Sequence, residues 1–514
     1  MNVSLDLCEE PVRQNCGTAA PIGRGYPLRT RTIRPAIFAV EYSFGDEIPM
    51  ISHLAAPPVP SSGRHLTKAQ PTPGSSVTPI VLILAFVTFS RVAQVLLGLP
   101  TAVNHLHFPV VLLAFLLSGA RTWRREKTLC VLLACFALVI AASAAAGGAG
   151  ATNAVLEFLL LSEPVMLLLL IVGANPSVGS AKWLSRWLLV FGLVQVPFAY
   201  LQVPYYTATL PDANQADLIR GTMLGMIDGA HVVGAVSVVC AVYMLFFFRL
   251  RSVAIKTACV ALLVLIPLLS DAKQVLVAFV IACIVVAVGR MRHLGTPRMR
   301  ALVAVLLVVG VCIVGAVIRI DMWLCRMPMM VQGLSAKLAV LQLIGEYRQS
   351  GLSWVLGLGP GHSVGRLGFL LPKYWDLLSP LGATVHPLTQ QVWALWDETW
   401  ALHVSSIFSP FFGWAGIFGD LGIAGIAVYG AMWVVIYMKY CHNNVSRIFL
   451  VFTMVLGAVF TWLEEPNFML YVVSVIGCIH LDSRGQKSTY EGVLATELFH
   501  KWLSLGHVRR RDAQ

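Results

Sequence analysis

Charge is what this chain has least of. Only 12% of its 514 residues are Asp, Glu, Lys or Arg, about half the share found in a soluble globular domain. With 57% hydrophobic residues and a mean hydropathy of +0.76, that scarcity excludes a soluble globular protein. The eleven cysteines form no CxxC pair and no zinc-like spacing, which excludes a disulfide framework and a structural zinc site. Cys130, Cys135, Cys240, Cys259, Cys283, Cys312 and Cys478 sit in apolar runs, where a small buried residue suffices. HExxH is absent, so no metal is expected. No glycine-rich turn follows a strand, so no dinucleotide cofactor is expected either. No layout of basic start, short apolar run and small-residue cleavage site appears near the first residue. Two related halves with paired broken helices, a common transporter pattern, are also missing.

What is present is long apolar runs, each near the roughly 20 residues that a helical span needs. They predict an all-α polytopic membrane protein with about twelve spans: 77–98, 106–120, 128–146, 155–173, 187–203, 229–248, 253–269, 274–289, 301–318, 411–438, 446–463 and 467–481. Residues 1–76, rich in Pro, Gly, Ser and Arg, read as a disordered cytoplasmic extension, and 482–514 as a basic cytoplasmic tail. With both termini inside, basic residues fall in 121–127 (RTWRREK), 174–186, 249–252, 290–300 (RMRHLGTPRMR) and 439–445. The short outer loops carry only Arg220 and Lys273. That asymmetry follows the positive-inside rule. Beside anionic lipid it also accounts for the net charge of +12 without a nucleic-acid partner.

The layout leaves residues 319–410 as one long extracytoplasmic loop. It holds Trp323, Trp354, Trp375, Trp393, Trp396 and Trp400, side chains suited to the membrane interface or to sugar rings. Within it, 328–349 has helical spacing and is expected to lie on the membrane surface. The stretch GLGPGHSVGR at 357–366 breaks any helix and adds His362 and Arg366. Tight turns at Gly359 and Gly361 would let backbone amides approach an anionic or sugar group, or would serve only as a re-entrant connection. Some charges lie within spans, Arg91 in the first and Glu163 in the middle of the fourth, with Glu157 near the outer end of the fourth. The first two could pair structurally with one another or belong to a proton pathway.

The order of features resembles the O-antigen ligase and O-antigen polymerase superfamily, membrane glycosyltransferases of the GT-C type. The matches are GLGPG at 357–361, His403 in WALHVSSIFSP, GDLGIAGIAVYG at 419–430, LIRGTMLGMIDGAHVVG at 218–234 and LLSDAKQVLVAF at 268–279. The chain departs from the family pattern where Val404 and Ser405 follow His403, and where Ala272-Lys273 stands in place of Ser-Arg. The resemblance implies a GT-C-like fold in a bacterial inner membrane. It also implies a metal-independent enzyme that takes an oligosaccharide from an isoprenoid pyrophosphate carrier and passes it to a glycan or lipid acceptor. Other polysaccharide-assembly proteins would be its partners, alongside the membrane lipids. On that reading His403 is the general base and Asp420 orients it, with Glu464 and Glu465 as alternative outward-facing acids. Arg220 and Lys273 hold the pyrophosphate, with Arg348, Arg366, Gly359, Gly361 and His362 as further substrate contacts. The rival class is a transporter or flippase of lipid-linked or small solutes.

The charge asymmetry makes a topology prediction. Reporter fusions after residues 125 and 295 should report a cytoplasmic location, and one after residue 370 an external one. An internal signal at 370 would invert the membrane orientation drawn here.

Overall fold

A computed structural model describes residues 77–174, 176–209, 215–226, 228–248, 250, 252–291, 327–398 and 409–484. The expected extension 1–76, the span at 301–318, His403 and the tail from 485 lie outside the described residues. Among those described there is helix and turn but no strand.

The helices are α1 (Thr78–Leu97), α2 (His107–Arg125), α3 (Lys127–Gly147), α4 (Ala151–Gly173), α5 (Val178–Leu193), α6 (Gln195–Thr209), α7 (Gly229–Phe247), α8 (Val253–Leu269) and α9 (Lys273–Met291). After the undescribed stretch come α10 (Met327–Tyr347) and four shorter helices, α11 (Gly351–Leu356), α12 (Arg366–Leu370), α13 (Trp375–Leu378) and α14 (Pro387–Glu398). The chain then forms α15 (Gly413–Tyr440), α16 (Asn444–Gly457) and α17, over 466–484. Eight helical segments among the described residues are long and apolar enough to cross a membrane, and α8 and α16 are shorter apolar helices. The protein is therefore a polytopic helical membrane protein.

Helix ends follow local chemistry. Gly98 and Gly148 end α1 and α3 in the left-handed region, at φ +65° and +62°, which glycine adopts without a Cβ penalty. Ser177 caps α5 by accepting from the Ser180 amide at 3.2 Å. That cap starts the helix at 178 rather than at the expected 187. The apolar run then continues to Thr209 as α5 and α6, which meet at Val194.

Helices α4 and α7 are buried nearly all round, as is the body of α17, so these three form the centre of the bundle. Outward-facing side chains of α2 and α9 stay exposed, the pattern expected where a helix meets lipid. Helix α10 matches the expected helix at 328–349. Its Val340 and Ile344 pack with Leu388 and Val392 of α14 and with Phe411, Phe412 and Ala415 at the start of α15. The long loop is thus a helical cap with its own small apolar core.

Helix α15 is broken at Gly422, where φ is +63° and ψ −159°. A Cβ there would stand 2.4 Å from the Val355 carbonyl oxygen. Gly422→Ala should therefore cost about 1–3 kcal/mol. In the same helix Gly430 has open space around it, and Gly430→Ala should be tolerated. Thermal unfolding in detergent, with the two variants side by side, checks the contrast.

Candidate functional site

The segment 357–366 lies against the break in α15. Leu358 and Gly359 donate backbone N–H groups to the carbonyls of Gly419 and Asp420 at 2.9 and 3.1 Å. Ser143 Oγ on α3 donates to the same Asp420 carbonyl at 2.7 Å. The fit leaves no room for side chains: a Cβ on Gly357 would lie 2.2 Å from the Asp420 oxygen, and one on Gly147 2.1 Å from that of Leu358. Gly359 and Gly361 hold φ at +109° and +69° to make the bend. Expected as substrate contacts, they place the Gly359 amide on the Asp420 carbonyl and Gly361 against the side chains of Leu367 and Leu371.

His362 follows the same logic. Its Nδ1 pairs with the Leu358 carbonyl at 2.9 Å and its Nε2 with Thr384 Oγ1 at 2.8 Å. Both ring nitrogens are thereby occupied within the protein, and burial pulls the imidazole below its usual pKa. Asn153 of α4 binds this unit further, donating to the carbonyls of Pro360 and Thr384. His362 is a strut of the cap and does not line the cavity described below.

Asp420 is fully buried beneath the glycine segment, and Glu464 is 2% exposed. An added Cβ on Gly365 would sit 3.1 Å from Asp420 Oδ2 and 3.5 Å from Glu464 Oε1. Glu464 Oε2 accepts the Arg366 backbone N–H at 2.8 Å. Burial and then the neighbouring Asp420 carboxylate push Glu464 above the usual carboxylate range. Neither acid lines the cavity described below, because the 361–366 backbone covers them both.

Arg366 turns the other way. Its side chain lines an open cavity shared with Arg91 of α1, His105, Lys373 and Asp228. Tyr374, Trp396 and Phe411 add aromatic walls. Arg366 Nη2 forms an ion pair with Glu465, whose other oxygen accepts from Asn467 Nδ2 at 2.8 Å. His105 Nε2 is held by the Tyr374 hydroxyl at 3.2 Å. Burial, then Arg91 and Arg366, lower the Lys373 pKa. Three basic side chains face one carboxylate, a balance that attracts an anion. The carboxylate, Asp228, is pushed up to about 6 by burial against the opposing pull of Arg366.

The remaining expected contacts lie elsewhere. Arg220 is tied into its own turn, with its amide donating to Gln202 Oε1 at 2.7 Å and Nε to the Asp217 carbonyl at 3.0 Å. It packs against Gly229, one layer behind Asp228. Lys273 forms an ion pair with Asp271 at 2.7 Å at the start of α9 and does not line the cavity. Arg348 stacks on Phe418 with its guanidinium carbon 3.8 Å from the ring centroid, and Nη2 donates to the Phe418 carbonyl. Burial lowers its pKa to about 10. Arg348 is therefore packed against α15 and does not line the cavity. Glu163 pairs with His107, not with Arg91. Sequence reasoning missed Lys373, His105 and Asp228. Of these, Lys373 was the most visible, as a lone base in the aromatic stretch FLLPKYW.

His362→Ala should lower thermal stability by about 1–3 kcal/mol, because buried partners lose their bonds. Lys273→Ala, at a partly exposed pair, should change it by less than about 0.5 kcal/mol. Melting curves of the two purified variants test this. Neither a family model nor a curated protein matches the chain.

Proposed function

We propose that the protein is a membrane glycosyltransferase of the O-antigen ligase or polymerase kind, with about twelve spans and a GT-C-like fold, in a bacterial inner membrane. The observation that carries this reading is the cavity where Arg91, Arg366 and Lys373 converge beside tryptophan and tyrosine walls. An isoprenoid pyrophosphate bearing a glycan has the matching chemistry: two phosphates for the cations and sugar rings for the aromatics. The basic residues around the α2–α3 junction, the end of α9 and the α15–α16 junction gather at the opposite end of the bundle. By the positive-inside rule the cavity then opens outward, where a flipped carrier presents its glycan.

In the reaction the acceptor oxygen attacks the anomeric carbon while the bond from that carbon to the phosphate oxygen breaks. The electron pair leaves on the pyrophosphate, and the three basic side chains counter the charge that develops there. The acceptor's proton passes to a base. Asp228 stands on the cavity wall, and His403 belongs to the segment between Trp396 and Ser409, both of which line the cavity. With Asp228 near 6, its base form predominates above that pH, so transfer should rise with pH through about 6 and level off.

A transfer assay with purified protein and lipid-linked donor tests the reading. Arg91→Ala and Arg366→Ala should each reduce transfer roughly ten- to a hundredfold, and Lys273→Ala should not. Asp228→Asn should abolish the acidic limb along with most of the rate, and His403→Gln should leave that limb in place. Parent-like transfer by both arginine variants would remove the cavity from the reaction. In a deletion strain, loss of long surface chains with single units retained marks a polymerase. Accumulation of carrier-linked polymer marks a ligase.

A further inference from the structure

The helical turns of the cap from Arg366 to Leu381 have two unlike sides. Arg366, Phe369, Leu370, Lys373 and Tyr374 line the cavity. Trp375, Leu377 and Leu381 do not line it and are 40%, 56% and 64% exposed. The segment also bonds its own backbone. Leu371 donates to the Leu367 carbonyl, Tyr374 to that of Leu371, Ser379 to that of Trp375 and Ala383 to that of Leu378. Backbone satisfied in this way tolerates contact with hydrocarbon, whereas an open loop does not.

The depth of the segment follows from the helices that hold it. Helix α1 has 20 residues, a length of about 30 Å, which matches the hydrocarbon thickness of a bilayer. Asn104, just before α2, donates to Gln94 Oε1 at 2.6 Å, so the head of α2 stands about 5 Å below the end of α1. There the Tyr374 hydroxyl meets His105 Nε2 at 3.2 Å. At the other end of the segment the Leu381 carbonyl accepts the Thr152 hydroxyl, at the start of α4. The neighbouring surface is already apolar. Leu96 and Leu97 of α1, and Leu106, Val110 and Leu113 at the head of α2, are each half or more exposed. The patch on the cap continues that lipid-facing belt past the point where α1 and α2 stop. Asp376, exposed between Trp375 and Leu377, limits the depth, because a carboxylate fits the headgroup boundary and not the acyl interior. Tryptophan favours the same boundary.

We propose that residues 372–382 form an interfacial anchor, with Trp375, Leu377 and Leu381 seated among the acyl chains just beneath the lipid headgroups. The partner is the bilayer itself, in the leaflet at the cavity's end of the bundle. The long loop then dips back into the membrane, with cavity on one side of the segment and lipid on the other. The cavity opens at headgroup level rather than in the aqueous space beyond. Nothing in this placement depends on the transferase reading.

The test is tryptophan fluorescence of the full chain in phosphatidylcholine nanodiscs. The lipid is brominated near the headgroup end of its acyl chains or near their methyl ends, and iodide serves as the aqueous quencher. Trp375→Phe should remove fluorescence that the shallow bromines quench, while quenching by the deep bromines and by iodide stays as in the parent. Loss of an iodide-quenched fraction instead would put Trp375 in water and overturn the proposal. Loss of a deep-quenched fraction would overturn the interfacial depth. A variant quenched like the parent by all three would leave Trp375 covered by protein, a second copy or another chain, and would overturn it too. Leu377→Asp and Leu381→Asp give an independent reading, since a charge among acyl chains costs stability and one on a wetted surface does not. Both should lower the melting temperature in nanodiscs, and parent-like melting would place the patch in water. If these two variants do not fold, the quenching decides.

Discussion

The cap of this protein hangs on a contact between two stretches of bare backbone. Residues 357–359 run alongside 419–420, amide to carbonyl, at a point where α15 cannot continue as one helix. Within a bilayer an unsatisfied peptide group is costly, so a broken helix persists only where another segment supplies the missing partners. The glycine segment supplies them. It can do so because Gly357, Gly416 and Gly422 let the chains approach to distances that any Cβ would forbid.

That contact also sorts charge. Once the 361–366 backbone covers Asp420 and Glu464, their carboxylates face inward and Arg366 is left pointing to the cavity. Glu465 then holds Arg366 from behind, and Asn467 holds Glu465. Acids behind and bases in front give the cavity its polarity. A guanidinium kept in place by a buried carboxylate is also a pre-organised partner for an anion, since its side-chain entropy has already been lost.

The same arrangement accounts for the distribution of histidines. His362 uses both nitrogens to brace the cap, whereas His105, two residues before α2, lines the cavity and His107, the first residue of α2, pairs with Glu163 of α4. His386 stacks near His362 and near Tyr347, and burial pulls its pKa down to about 4, which makes it a neutral packing ring.

The sequence by itself determined the class of molecule, because hydropathy is additive along a chain and spans are local. It therefore located α1 to α4, α7 to α9 and α15 closely, and the helix α10 within the long loop. Cap chemistry was local too, though the Ser177 cap went unread and the span it begins was placed nine residues late. Only the tertiary structure decided which charges meet. Arg220, Lys273 and Arg348 looked like a phosphate site because basic residues are scarce on that face. Each instead has its own partner, close by in the chain for Arg220 and Lys273 and on α15 for Arg348. Arg91, Asp228 and the segment that carries both Arg366 and Lys373 lie far apart in sequence, and no periodicity links them. They converge because α1, the turn before α7 and the cap all end at one level of the bundle, which is a property of packing and not of any one segment.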